Sequence, residues 1–326
     1  MKKVSIILAL LFTILMARLG GIGSSTAFLK MGGGARPSAL GYAYAGFAQG
    51  IDAVYWNPAG ITQVNKPAFS FTHASLFAGM YLENMAIGIP AGRSIIGIHA
   101  TGHFSGKILQ TTIDDQTGEG GHYYTANNYA VGITYAVRLT DKFSTGFTFK
   151  TLSMNIHKVS ATGYAFDIGG TYDMGILNTR LGFVTLNYSP TDISFRGEAL
   201  EFTHAPDTAM AQDVPTTYKS EPFPLPLTFL AGLASDLIKT ESVRLTYSAD
   251  FGYLIDQGEV PAIGIEYAFQ EKYFIRLGFT DRNDRDFSAG FGLVVSRPGY
   301  RLLIDYATEH HKYLPMIHRI SIGMGF

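Results

Sequence analysis

Val243-Arg244-Leu245-Thr246-Tyr247-Ser248-Ala249-Asp250-Phe251-Gly252-Tyr253 alternates apolar and polar residues without a slip. Successive side chains of an extended strand point to opposite faces. Val243, Leu245, Tyr247, Ala249, Phe251 and Tyr253 therefore share one face, which suits lipid. Arg244, Thr246, Ser248, Asp250 and Gly252 share the other, which suits a polar lumen. The division recurs with Ile263, Ile265, Tyr267 and Phe269 against Gly264, Glu266 and Ala268. It recurs again with Tyr273, Ile275, Leu277 and Phe279 against Phe274, Arg276, Gly278 and Thr280, and with Phe287, Ala289, Phe291, Leu293 and Val295 against Ser288, Gly290 and Gly292.

A soluble β-sandwich also alternates, so other features must decide. The apolar faces carry Tyr and Phe near their ends, as interfacial girdles require. The opposite faces mix small residues with charges of both signs: Arg244, Asp250, Glu266, Arg276, Arg301 and Asp305. Composition points the same way. The 326 residues are 47% hydrophobic and only 16% charged, against roughly 25% charged in a soluble domain. Past the first twenty residues no apolar run approaches the ~20 residues of a spanning helix. Only alternate strand residues meet lipid in a barrel, and that spreads hydrophobicity thinly.

Strands are predicted near 68–76, 82–89, 94–103, 126–137, 142–155, 160–172, 180–188, 226–235, 243–253, 260–269, 273–280, 287–295, 300–307 and 317–326. That makes an all-β, transmembrane antiparallel barrel of about fourteen strands; some connections are short enough that twelve or sixteen also fit. Every second connection is brief, and the two longest stretches, 104–125 and 189–225, fall in the other set. Short periplasmic turns and longer outside loops give that asymmetry. Ile320, Ile322, Met324 and Phe326 share a face of the last strand. A final amphipathic strand closing on Phe326 resembles the signal that barrel-insertion machinery reads.

Met1-Lys2-Lys3 followed by the apolar residues 4–16 reads as a signal peptide, with cleavage at Ala17 or near Gly20 and Gly21. The expected division is 1–20 signal peptide, 21–66 plug and 67–326 barrel. The expected location is the outer membrane of a Gram-negative bacterium, with outer-membrane lipid as a partner. A net charge of −1 counts against a nucleic-acid surface. The chain has no cysteine, hence no disulfide, thiolate metal site or lipid anchor.

Residues 27–65 do not alternate. Gly32-Gly33-Gly34 is flexible, and Pro37 could open a short helix through residues 38–43. Trp56-Asn57-Pro58-Ala59-Gly60 reads as a turn. Phe28-Leu29-Lys30, Gly34-Ala35-Arg36, Ala39-Leu40-Gly41, Ala45, Asp52-Ala53 and Tyr55-Trp56-Asn57-Pro58-Ala59-Gly60 together resemble the N-terminal signature of the PorV/PorQ family, a branch of the FadL-like outer-membrane barrels. The motif spans about forty residues. The resemblance implies a fourteen-stranded barrel with this segment folded inside as a hatch, bearing Arg36, Asp52, Trp56, Asn57, Pro58 and Gly60. Where relatives carry two acids before the Ala, this chain has Ile51-Asp52-Ala53. Arg36 is expected beside a lumen acid: Asp250, Glu266 or Asp305.

No Gly-x-Ser-x-Gly elbow and no phosphate loop is present. Glu309-His310-His311 reads as a solvated loop, and residues 281–286 as a charged hairpin tip lacking the Gly and distal Glu of a calcium loop. A non-enzymatic protein without catalytic, cofactor or metal residues is expected. The loop 189–225 carries His204-Ala205-Pro206-Asp207 and residues 221–226, which are proline-rich and stiff. The family resemblance implies protein export or surface handover of the type IX kind, with secretion components or cargo docking on this loop. The other reading is a FadL-like passive channel for hydrophobic small molecules.

Overall fold

A computed structural model describes residues 26–198, 201–204, 214–218 and 220–325. The expected signal peptide and Phe326 lie outside the described residues. Fourteen strands form one closed antiparallel barrel: β1 Ala68–Ser75, β2 Tyr81–Ala91, β3 Ser94–Phe104, β4 Ala126–Arg138, β5 Phe143–Ile156, β6 Val159–Asp173, β7 Arg180–Tyr188, β8 Thr228–Lys239, β9 Val243–Leu254, β10 Gly258–Phe269, β11 Tyr273–Thr280, β12 Arg285–Arg297, β13 Tyr300–His311 and β14 Ile317–Gly325. Each strand pairs with its neighbours in sequence, and β1 closes on β14 from Ala68↔Gly325 to Ser75↔His318.

The pleat sorts the side chains as the alternation requires. Thr246, Ser248, Asp250 and Gly252 of β9 are buried toward the interior, while Phe251 and Tyr253 stand outward. Ile87, Ile98, Ile133, Ile265, Ile275 and Ile322 are exposed on the outer face, with Tyr135, Phe269 and Tyr273 toward one rim and Tyr129, Tyr253 and Phe287 toward the other. An outer belt of aliphatics between aromatic rims is what a bilayer selects. The connections 92–93, 139–142, 174–179, 240–242, 270–272 and 298–299 define a short-turn end. The opposite, long-loop end carries 105–125, with a small hairpin pairing Ile108–Leu109 and Tyr123–Tyr124. It also carries 189–227, with a second hairpin of Glu201–His204 and Val214–Thr217.

Two sequence expectations fail at this end for one reason. β13 runs on to His311, so Glu309 and its neighbours belong to a strand, and β12 starts at Arg285. Arg282 and Arg285 of the expected solvated tip are buried. Isolated charges read as surface, yet these turn inward because buried partners await them.

Candidate functional site

Residues 26–66 lie within the barrel, mostly buried. The segment forms α1 Phe28–Met31, α2 Ala35–Ala39 and two 3₁₀ turns, Ile51–Tyr55 and Pro58–Gln63. α2 is shorter than the helix expected through residue 43, because Gly41 and Tyr42 take positive φ of 63° and 68°. α2 packs on β11–β14, and the second 3₁₀ turn packs on β3–β6. Wall glycines allow this close approach: a Cβ on Gly182 would overlap the Ala45 carbonyl, and one on Gly278 would overlap the Gly41 amide.

The motif residues seat the segment. Trp56 is 1% exposed, and its indole N–H donates to the Gly33 carbonyl at 2.7 Å beside the Tyr42 ring. The Asn57 amide donates to the carbonyls of Ala45 (3.0 Å) and Gly170 (3.2 Å). Its own oxygen accepts from the Ala59 amide at 3.2 Å, which caps the turn opened by Pro58. Gly60 lies too close to Ala48 and Ala53 to admit a side chain.

Arg36 grips Glu266 through two bonds of 2.8 Å. Glu266 is fully buried and also receives Arg244 at 3.0 Å and Arg276 at 2.7 Å; Arg276 reaches on to Asp305 at 2.6 Å. Of the three acids expected near Arg36, Glu266 is therefore its direct partner. Asp250 instead accepts the backbone N–H groups of Tyr44 (2.7 Å) and Ala45 (2.6 Å). Asp52 has one carboxylate oxygen buried without a partner among the described residues, and burial raises its pKa above the ordinary carboxylate range. Arg301 lines the adjoining cavity and joins none of these ion pairs.

A second charged cluster escaped the sequence reading. Glu309 accepts from Arg319 at 2.6 Å and from the Tyr42 hydroxyl at 2.5 Å, and Arg285 stands 2.7 Å away as an ion-pair partner. Arg319 also donates to the carbonyls of Met31 and Gly32. Arg282 stands over both Tyr42 (5.8 Å) and Trp56 (5.5 Å), a cation–π arrangement. The missed signal was the unbroken alternation Asp305, Ala307, Glu309, His311.

A cavity and a packed apolar cluster flank this filling. At the short-turn end a cavity of about 590 Å³ is lined by Arg36, Asp52, Arg244, Arg276, Arg301 and Asp305, among others. At the long-loop end an apolar cluster joins Phe28 of α1 to Leu82, Leu152, Met154, Ile193 and Leu225, with Leu29, Met31, Phe195 and Phe223 half-buried against it. Among the described residues no group of three His, Cys, Asp or Glu is placed to hold a metal ion.

No family model matches this chain, and no curated protein matches it. Solved structures do. CymD, a monoaromatic hydrocarbon channel, aligns with a TM-score of 0.61 and 14% identity over 91% of this chain and 98% of its own. The toluene transporter TbuX of Ralstonia pickettii gives 0.60 and 13% over 90% and 98%. The toluene transporter TodX of Pseudomonas putida gives 0.59 and 12% over 90% and 97%. The chain thus has the fold of a transmembrane β-barrel with fourteen strands. More narrowly, its fold matches that of FadL-type outer-membrane barrels, a likeness of fold alone at this identity.

Proposed function

We propose that the protein sits in an outer membrane, its short turns toward the periplasm, and lets small hydrophobic molecules cross passively. The apolar cluster around Phe28 carries this reading: it lies inside the wall at the long-loop end, where an incoming solute would leave water. The hydrocarbon channels of the same fold lend support. Expression in Gram-negative cells deprived of their own toluene channel tests it. Uptake of labelled toluene should exceed that of cells with an empty vector. Equal uptake, with the protein present in the outer-membrane fraction, would defeat the proposal.

A second reading, an accessory barrel of protein export, draws on the PorV/PorQ-like motif. It is favoured by the half-buried Phe195 and Phe223, whose rings lie 5.7 Å apart on the long-loop segments. Such a surface suits docking of a partner. Co-purification from native membranes tests it, because a secretion component or cargo should accompany the barrel in stoichiometric amount.

A further inference from the structure

The transport reading leaves open what moves. The inner segment is fixed to the wall along its backbone. Ala45 and Gly41 rest on wall glycines, Asp250 holds the N–H groups of Tyr44 and Ala45, and Arg36 is locked to Glu266. Lifting the segment out would strip buried charges of their partners, a large cost. Side-chain rotation, by contrast, is cheap and fast.

Within residues 33–62 the half-exposed positions are Arg36, Gln49, Gly50, Asp52 and Tyr55. The first four line the cavity at the short-turn end, and Tyr55 does not. Its ring lies against Gly33, where a Cβ would come within 2.5 Å of it, and meets His99 of β3 edge-on at 5.2 Å. Its hydroxyl donates to the carbonyl of Met85 at 2.7 Å and is 3.3 Å from that of Ala100. Met85 and Ala100 are ladder partners, so their carbonyls keep strand bonds when the hydroxyl leaves.

Four residues along β3 toward the long-loop end, on the same face, His103 stacks with Phe28 of the apolar cluster. In the other direction, Asp52 of the same 3₁₀ turn borders the cavity. Tyr55 therefore stands between the apolar cluster and the cavity. We propose that Tyr55 is a side-chain gate, swinging from β2 and β3 to pass uncharged apolar solutes while the inner segment stays seated. This rests on the transport reading.

Labelled-toluene uptake in channel-deficient cells tests the gate in the full-length protein. Tyr55→Phe loses the hydroxyl bond and should raise uptake up to about fivefold; Tyr55→Ala should raise it at least as much. Entry of a charged chromogenic substrate should stay at the native level, whereas a variant that merely loosened the inner segment would admit it. The chain has no cysteine, so Ala35→Cys with Ser321→Cys, whose native amide and hydroxyl lie 2.7 Å apart, creates the sole disulfide. The oxidised tether should leave uptake unchanged and preserve the Tyr55→Ala gain. Uptake lost on oxidation and restored by reductant would overturn the gate, as would native-level uptake in both Tyr55 variants. Absence of uptake by the native protein and every variant would overturn the transport reading itself.

Discussion

Strands β9–β14 meet the inner segment chiefly with carboxylates and guanidiniums, whereas β1–β6 meet it chiefly with aliphatic, hydroxyl and imidazole side chains, the Arg138 guanidinium on the Thr62 carbonyl (3.0 Å) excepted. On the first side lie Glu266 with Arg36, Glu309 with Tyr42, and Asp250 with two backbone amides. On the second, Ile51, Val54 and Ile61 fill the space against Gly88, Gly97, Ala86 and Ala136. The buried ion pair on that side, Lys150–Asp167 at 2.8 Å, joins wall to wall. Ionic contacts are directional and fail abruptly, because a lost partner strands a charge. Aliphatic contacts lose a little energy per group and tolerate adjustment. One side of the barrel thus holds the segment through directional contacts, and the other through contacts that tolerate adjustment.

The contrast breaks most sharply at Glu266. Glu266→Gln leaves Arg36, Arg244 and Arg276 around a neutral amide inside the barrel. A stability loss of roughly 3–5 kcal/mol is expected. The urea midpoint of the barrel in lipid vesicles reads it. A loss no larger than that of an aliphatic truncation would remove the distinction between the two sides.

The next effect compares the outer face with the inner. Phe291 is 47% exposed on the outside of β12; Phe291→Arg near the bilayer midplane should cost roughly 2–4 kcal/mol. Alternation alone makes the inward neighbour Gly290 the milder site for Arg. The structure reverses that order, since even a Cβ there would stand 2.5 Å from the Ala39 side chain. Gly290→Arg should therefore be at least as damaging as Phe291→Arg in the same urea titration. Ser248, fully buried, follows the same logic.

That reversal marks how far the sequence could be read. Period-two alternation reports which face each wall residue takes. The pattern of Val243 to Tyr253, repeated along the chain and joined to the composition and the aromatic faces, therefore pointed to a barrel of about fourteen strands, and the structure fixes that number. It reports nothing about what occupies the lumen at each height. Glu309 and Arg319 sit on the inward face by alternation, yet the partner they share, Tyr42, lies more than two hundred residues away in the chain. Arg36 was expected near three acids, and only the folded register selects Glu266. The inner segment has no period to read, because its shape is set by wall contacts and by positive φ at Gly41 and Tyr42. Phe326 lies outside the described residues, so its part in barrel insertion stays a proposal, tested by whether its deletion lowers the folded fraction in the membrane.

A smaller effect sharpens the comparison from the aliphatic side. Ile61 is fully buried, with Cδ1 near the position a Cβ on Gly97 would take, at 3.3 Å. Ile61→Val removes one methylene and should cost about 0.5–1.5 kcal/mol. A cost near that of Glu266→Gln would mean that both sides are equally rigid.

The smallest effect concerns Trp56, the only tryptophan in the chain. Barrel tryptophans ordinarily gather at the lipid interface, where brominated acyl chains quench them. Trp56 instead packs between Gly32, Tyr42 and Arg282 on the charged side. Brominated lipid should leave its emission nearly unchanged, and aqueous iodide should reach it poorly while the segment stays seated. Tyr55→Ala should alter neither result, because Tyr55 holds β2 and β3 and the Trp56 indole N–H is held by the Gly33 carbonyl. Glu266→Gln should make Trp56 more accessible to iodide, because it loosens the ionic side. Strong quenching by lipid in the native protein would place the indole outside the wall and end the account of a seated inner segment. Equal iodide access in the two variants would show that the sides move as one.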